Sequence, residues 1–201
     1  MLSKPFYFER NCFSPDEDSV NVNEKFQLFQ DHYKIKYDIC KKQNPKTIVE
    51  IGVRAGYSAL VFLQACPDAT YIGIDCQVPP FGKEYTQWAM KLLRPYDAKI
   101  LVLDTQQLKT LPFWKRTIDF IHIDGLHTTK AVIHDLDLSF PCLSDNGMIL
   151  CDDFLTQEVH LGISKWIQLR EQKVNYEYIR SRNGELLIRK VGNHTRSYKT
   201  K

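Results

Sequence analysis

Two short stretches of this 201-residue chain hold side chains whose types and spacing can do chemistry: Ile121-His122-Ile123-Asp124-Gly125-Leu126-His127 and Cys151-Asp152-Asp153. Carboxylates that share one site repel each other unless a positive charge stands between them. A hard divalent cation with oxygen ligands, Mg2+, fits such a place, so Asp124, Asp152 and Asp153 are the expected metal ligands. His127 follows Asp124 by three residues, and imidazole titrates near neutral pH, which makes His127 the candidate general base. A plainer reading stays open beside this one. Asp124 and Asp152-Asp153 could cap the helices that follow, and His127 could be a hydrogen-bonding residue at a helix start. Neighbouring residues of a strand also point to opposite faces, so Asp152 and Asp153 can ligate together only if the chain turns there. His122, His134 and His160 are read as structural or solvated.

A second set of candidates lies upstream. Val49-Glu50-Ile51-Gly52-Val53-Arg54-Ala55-Gly56-Tyr57-Ser58 has the form of a strand end, a glycine loop and a helix start. Glycine lets backbone N–H groups approach a ligand, and the helix start adds partial positive charge. The G-x-G-x-x-G fingerprint of a pyrophosphate binder is missing. Glu50 would repel a pyrophosphate and suits a ligand with an ammonium or sulfonium charge. Asp75 closes Ile72-Gly73-Ile74-Asp75, where an acid can accept both hydroxyls of a ribose. Asp104 stands at the end of a third apolar run and can accept from an adenine amino group. Single acids at strand ends often cap helices or face water; three at successive ends beside a glycine loop favour a nucleoside ligand.

These residues need elements to hold them. Alternation of apolar runs predicts strands at 47–51, 71–74, 99–103, 118–123 and 148–151, with helices over 56–65, 84–93, 128–143 and 157–172. Residues 105–115 are read as a short polar helix or loop, and Asn146-Gly147 as a turn into the fifth strand. Strands alternating with helices imply parallel βαβ units, with helices on both faces of the sheet. The end differs. Runs 174–179 and 185–189 flank Ser181-Arg182-Asn183-Gly184, a hairpin signal, so the last strand should run antiparallel. An amphipathic helix is expected over 23–43, stopped by Asn44-Pro45. The fold expected is α/β, a doubly wound, Rossmann-like sheet of seven mostly parallel strands.

The formal net charge of +3 is small, and 27 basic residues stand against 24 acidic ones, so nucleic acid is not an expected partner. The six cysteines Cys12, Cys40, Cys66, Cys76, Cys142 and Cys151 form no C-x-x-C pair, which suits reduced thiols in the cytoplasm and no zinc site. No signal peptide and no membrane-spanning run is seen. The sequon Asn193-His194-Thr195 is read as chance.

VEIGVRAGYSAL followed by YIGID resembles the first two motifs of class I S-adenosylmethionine (SAM) dependent methyltransferases. Its Gly-Tyr-Ser form is similar to the catechol and caffeoyl-CoA type O-methyltransferases, and the resemblance runs over about residues 45–190. It implies a SAM-binding domain over 45–191, an N-terminal extension and helix over 1–44 able to act as a lid, and a basic tail over 192–201. It implies Gly52 and Gly56 near the methionine part of SAM, Glu50 anchoring the loop or that amino end, Asp75 at the ribose and Asp104 at the adenine side. Further cofactor contacts implied are Val53, Arg54, Tyr57, Ser58, Cys76, Thr105, Asp124 and His127. The block from Ile123 to His127 is similar to metal-dependent O-methyltransferases with an I-D-G-x-H motif. There the fourth and fifth strands are neighbours, which carries Asp124, Asp152 and Asp153 over as Mg2+ ligands, with Asp124 and His127 as catalytic residues. Asp-Asp stands where the catechol type has Asp-Asn, and His127 where it has a lysine. The activity implied is Mg2+-assisted methyl transfer to an oxygen of a small-molecule acceptor. Loop residues Pro79, Pro80, Phe81, Tyr85 and Trp88 either cover the pocket or pack. An NAD-type oxidoreductase and an inactive methyltransferase-like binding module are the alternative functions left open, and a homodimer is left open as the assembly.

Overall fold

A computed structural model describes residues 32–79, 82–113 and 117–191. The expected apolar runs form strands β1 (Thr47–Ile51), β2 (Thr70–Asp75), β3 (Ala98–Val102), β4 (Ile118–Ile123), β5 (Leu143–Cys151), β6 (Val174–Ile179) and β7 (Glu185–Lys190). They make one seven-stranded sheet in the order β3-β2-β1-β4-β5-β7-β6. The pairs among β1 to β5 are all parallel, and β7 is antiparallel to both β5 and β6. The reversal comes from the hairpin over 180–184, where Gly184 adopts φ 75°.

Among the described residues five helices flank the sheet: α1 (32–43), α2 (Tyr57–Ala65), α3 (Lys83–Leu92), α4 (Thr129–Ser139) and α5 (Gln157–Gln168). Successive strand residues face opposite sides, and the core divides accordingly. Ile48, Phe120, Met148 and Leu150 pack with Tyr37 and Cys40 of α1 and with the buried body of α2. Val49, Ile121, Ile123 and Ile149 pack on the other side with Leu136 of α4 and Ile163 and Trp166 of α5. Asn44 ends α1 in a left-handed turn, φ 52°, with its N–H donated to the Cys40 carbonyl at 2.9 Å.

Three expectations need correction. Asn146-Gly147 does not turn the chain; both residues lie inside β5, which starts at Leu143. The pairing shifts between Ile118↔Leu143 and Phe120↔Met148, so the extra residues are taken up as a bulge within a continuous strand. The helix expected over 128–143 ends at Ser139, followed by one 3-10 turn, Phe140–Cys142, with Pro141 inside it. The helix expected over 157–172 ends at Gln168. Over the polar stretch after β3, Thr105–Gln107 forms a single 3-10 turn.

The N-terminal part of the expected 23–43 helix, Pro80, Phe81, Cys12, the sequon and the basic tail lie outside the described residues. Among the described residues no helix is long and apolar enough to cross a membrane.

Candidate active site

Parallel strands present their C-terminal ends at one edge, and the site grows there. The ladder continues past the strands: Gly52 N–H donates to the Ile74 carbonyl at 2.9 Å, Asp124 N–H to Ile51 at 2.8 Å and Asp152 N–H to Ile123 at 3.0 Å. The residues that follow β1, β2, β3, β4 and β5 thus enclose one cavity of about 930 Å³. That is room for a nucleoside-sized ligand and a small second molecule.

Gly52, Val53, Arg54, Tyr57, Ser58, Asp75, Cys76, Asp104, Thr105, Asp124, His127, Asp152 and Asp153 all line it. Asp75 also props the glycine loop. Its Oδ2 accepts from the N–H groups of Val53 at 3.0 Å and Arg54 at 2.8 Å, and its Oδ1 from Gln77 N–H at 2.7 Å. Carboxylate oxygens keep further lone pairs, so ribose hydroxyls can still be accepted. Asp104 combines both readings of it, capping the 3-10 turn through Gln106 N–H at 3.0 Å and lining the cavity.

Two of the expected cofactor residues do not reach the cavity. Gly56 (φ 79°) starts α2, where a Cβ would lie 2.9 Å from the Cβ of Ala89, so this glycine serves the packing of α2 on α3. Glu50 is fully buried beneath the loop. It accepts from Ser58 Oγ at 2.5 Å and from the Tyr71 hydroxyl, and His122 Nδ1 lies 2.8 Å away. Strand parity explains this: Glu50 and His122 are register partners facing α1 and α2. Glu50 therefore ties Ser58 of α2, Tyr71 of β2 and His122 of β4 together beneath the loop. Tyr85 and Trp88 pack against the core from α3, as ordinary packing requires.

The acids after β4 and β5 do not cap helices. Thr128 caps α4 through Ala131 N–H, and Thr156 stands at the start of α5. The chain does turn at Asp153, φ 54°, but it sends the two carboxylates to different partners. Asp153 stays with the cavity, 3.3 Å from His127 Nε2, and Asp124 lies 3.2 Å from the same nitrogen. Asp124, His127 and Asp153 present ligand atoms within 4.8 Å of one another. Two carboxylates and an imidazole suit a divalent cation, so the donor set fits. Asp152 pairs instead with the ammonium of Lys36 on α1. Asp124 and Asp153 thus stand beside His127 as one candidate cation set, while Asp152, the third acid expected as a ligand, lines the same cavity and is paired with Lys36.

Electrostatics follow from this crowding. Burial, then Asp152, raises the pKa of Asp124; burial, then Asp152 and Asp124, raises that of Asp153. Its hydrogen bond to Asp124 raises the pKa of His127. Burial opposes the charge of Asp152, yet Lys36, His122 and His32 together outweigh it and hold the carboxyl below its usual range.

Sequence reasoning allowed the N-terminal helix to cover the pocket but singled out no residue of it, and it gave the final hairpin no place at the site. His32 and Tyr33 of α1 and Arg182 and Asn183 of the β6–β7 hairpin line the cavity. Burial, then Lys36, lowers the pKa of His32 to about 4. Nothing local in the sequence marks Lys36 as buried.

Comparison with known proteins agrees with this geometry. Residues 49–154 match the family described as a methyltransferase domain. No curated protein sequence matches the chain at a significant level. Among solved structures, the SAH-bound methyltransferase PaMTH1 of Podospora anserina is 16% identical with a TM-score of 0.60, covering 94% of this chain and 100% of that one. The O-methyltransferase of Bacillus cereus in complex with SAH is 14% identical with a TM-score of 0.62, covering 88% and 93%. TomG of Streptomyces achromogenes, an O-methyltransferase of tomaymycin synthesis in complex with SAM, is 15% identical with a TM-score of 0.59, covering 89% and 99%. At these identities the structures speak for a shared fold. The matched residues run from the end of β1 to just past Asp153, and through them the chain belongs to the methyltransferase-domain family, the class I SAM-dependent methyltransferases.

Proposed function

We propose that this methyltransferase methylates an oxygen of a small-molecule acceptor, with Mg2+ held by Asp124 and Asp153 beside His127. The observation that carries this reading is that one cavity joins both ends of the reaction. Gly52, Asp75 and Asp104 line its nucleoside end, and Asp124, His127 and Asp153 line the other. O-methyltransferases among the similar folds support the oxygen acceptor. The free thiols Cys40, Cys66, Cys76, Cys142 and Cys151 support a reducing, cytoplasmic setting.

Bound SAM supplies a methyl group activated by its sulfonium charge, and bound Mg2+ would favour the deprotonated acceptor oxygen. The protein's own residues position and balance. Asp75 orients the ribose while it braces the loop. The acids Asp124 and Asp153 favour the cationic cofactor over its neutral product, which aids product release. His127 turns Nε2 to the carboxylates of Asp124 and Asp153, and with its basicity raised by Asp124 it can take the acceptor proton at Nδ1. Most of the rate gain comes from holding two reactants side by side in one cavity.

Calorimetric titration with S-adenosylhomocysteine tests the cofactor part, with NADH as the control. Micromolar binding of the first and none of the second is expected; absence of S-adenosylhomocysteine binding at millimolar concentration sinks the reading. Methyl transfer from SAM to catechol and to sugar diols, with Mg2+ or with EDTA, tests the acceptor and the cation.

A further inference from the structure

A buried ammonium near the site comes from the outlying helix. Lys36 of α1 is 1% exposed. Its ammonium faces three groups able to accept its three protons. These are Asp152 Oδ2, His122 Nε2 at 3.0 Å and Glu185 Oε1 at 3.4 Å. With Lys36 donating to Nε2, His122 carries its proton on Nδ1 and donates it to Glu50 at 2.8 Å. The other oxygen of Asp152, Oδ1, accepts from Asp153 N–H at 2.8 Å. Both oxygens of Asp152 are thus engaged inside the protein. Burial works against the Lys36 charge, and Asp152, then Glu185, outweigh it, so the ammonium stays protonated far above neutral pH.

We propose that Lys36 is the resident cation of this acidic rim, a positioning residue that withholds Asp152 from metal coordination and leaves a divalent cation to Asp124 and Asp153. This rests on the reading of the cavity as a methyl-transfer site with a cation at its acceptor end. An ammonium and a divalent ion on one carboxylate repel each other strongly where little water intervenes. The same pair docks α1, which carries His32 and Tyr33 into the cavity wall.

Titration of the full chain with Mn2+, followed by electron paramagnetic resonance, tests this in wild type, Asp152→Asn, Asp153→Asn and Lys36→Met. The wild type should bind Mn2+. Asp152→Asn should bind it within about twofold of wild type, and Asp153→Asn at least about tenfold more weakly. Lys36→Met should bind it about tenfold more tightly, because the released Asp152 becomes a third oxygen donor. A merely structural lysine would not improve metal binding when removed. Loss of Mn2+ affinity in Asp152→Asn, unchanged affinity in Lys36→Met, or a wild type that binds no Mn2+ overturns the proposal. Should Lys36→Met fail to fold, Asp152→Asn against Asp153→Asn decides alone. S-adenosylhomocysteine affinity on the same preparations separates the two levels. Intact binding with the wrong Mn2+ pattern removes only the role of Lys36, whereas no binding in the wild type removes the methyl-transfer reading beneath it.

Discussion

A Cβ on Gly52 would lie 1.8 Å from the carbonyl oxygen of Asp124. The cofactor loop after β1 and the acid loop after β4 are in backbone contact there, because their parent strands are sheet neighbours. Gly52 also has φ 88°, which side chains other than hydrogen rarely tolerate. Gly52→Ala should therefore cost upwards of about 3 kcal/mol of stability and abolish S-adenosylhomocysteine binding. A variant that melts within about 2 °C of wild type would show that the two loops are free to separate.

Glu50→Gln separates structural anchoring from ligand contact. Three donor groups converge on the Glu50 carboxylate, and an amide would turn an N–H2 toward at least one of them. The expected loss is about 2–4 kcal/mol in urea denaturation, with a smaller change in cofactor affinity for the fraction that stays folded. Normal stability with lost binding would instead put Glu50 in direct contact with the cofactor.

Asp135 of α4 is buried, and burial raises its pKa from 3.8 to about 6. The folded state therefore holds this proton more tightly than the unfolded state. The stabilisation is full below about pH 4 and is lost as pH rises through about 6. Asp135→Asn should gain on wild type across that window, by a total on the order of 2–3 kcal/mol, and hold a constant advantage above it. Urea midpoints of both proteins at pH 4, 5, 6 and 7 check this; parallel curves would refute it.

His32 gives the opposite slope. Burial lowers its pKa from 6.5 to about 4, so the unfolded chain takes up its proton first. Its contribution is intact above pH 6.5 and declines as pH falls toward 4. His32→Gln should remove part of the acid sensitivity of wild type between pH 6.5 and 4, seen as a smaller drop in melting temperature. An unchanged drop would mean that the imidazole is solvated.

Much of the nucleoside end was legible because it depends on local pattern. Strand period and parallel topology send Asp75, Asp104, Asp124 and Asp153 to one edge of the sheet, and each does line the cavity there. The failures have physical reasons. Lys36 meets Asp152 across 116 residues, and no local periodicity encodes that distance. Gly56 sits in the expected motif, but Ala89 of α3 decides what its missing side chain is for. Asn146-Gly147 has turn chemistry, yet β4 and β5 pair around it and absorb it as a bulge.

Under the proposed function, the wall that faces the acceptor is assembled from opposite extremities of the described chain, His32 and Tyr33 near one and Arg182 and Asn183 near the other, whereas the nucleoside end comes from the continuous stretch between Ile51 and Gln106. Such a layout lets the two jobs drift apart in evolution. Exchanging the first helix and the final hairpin for those of another member offers a way to retarget the enzyme to a different molecule while its supply of methyl groups stays as it is.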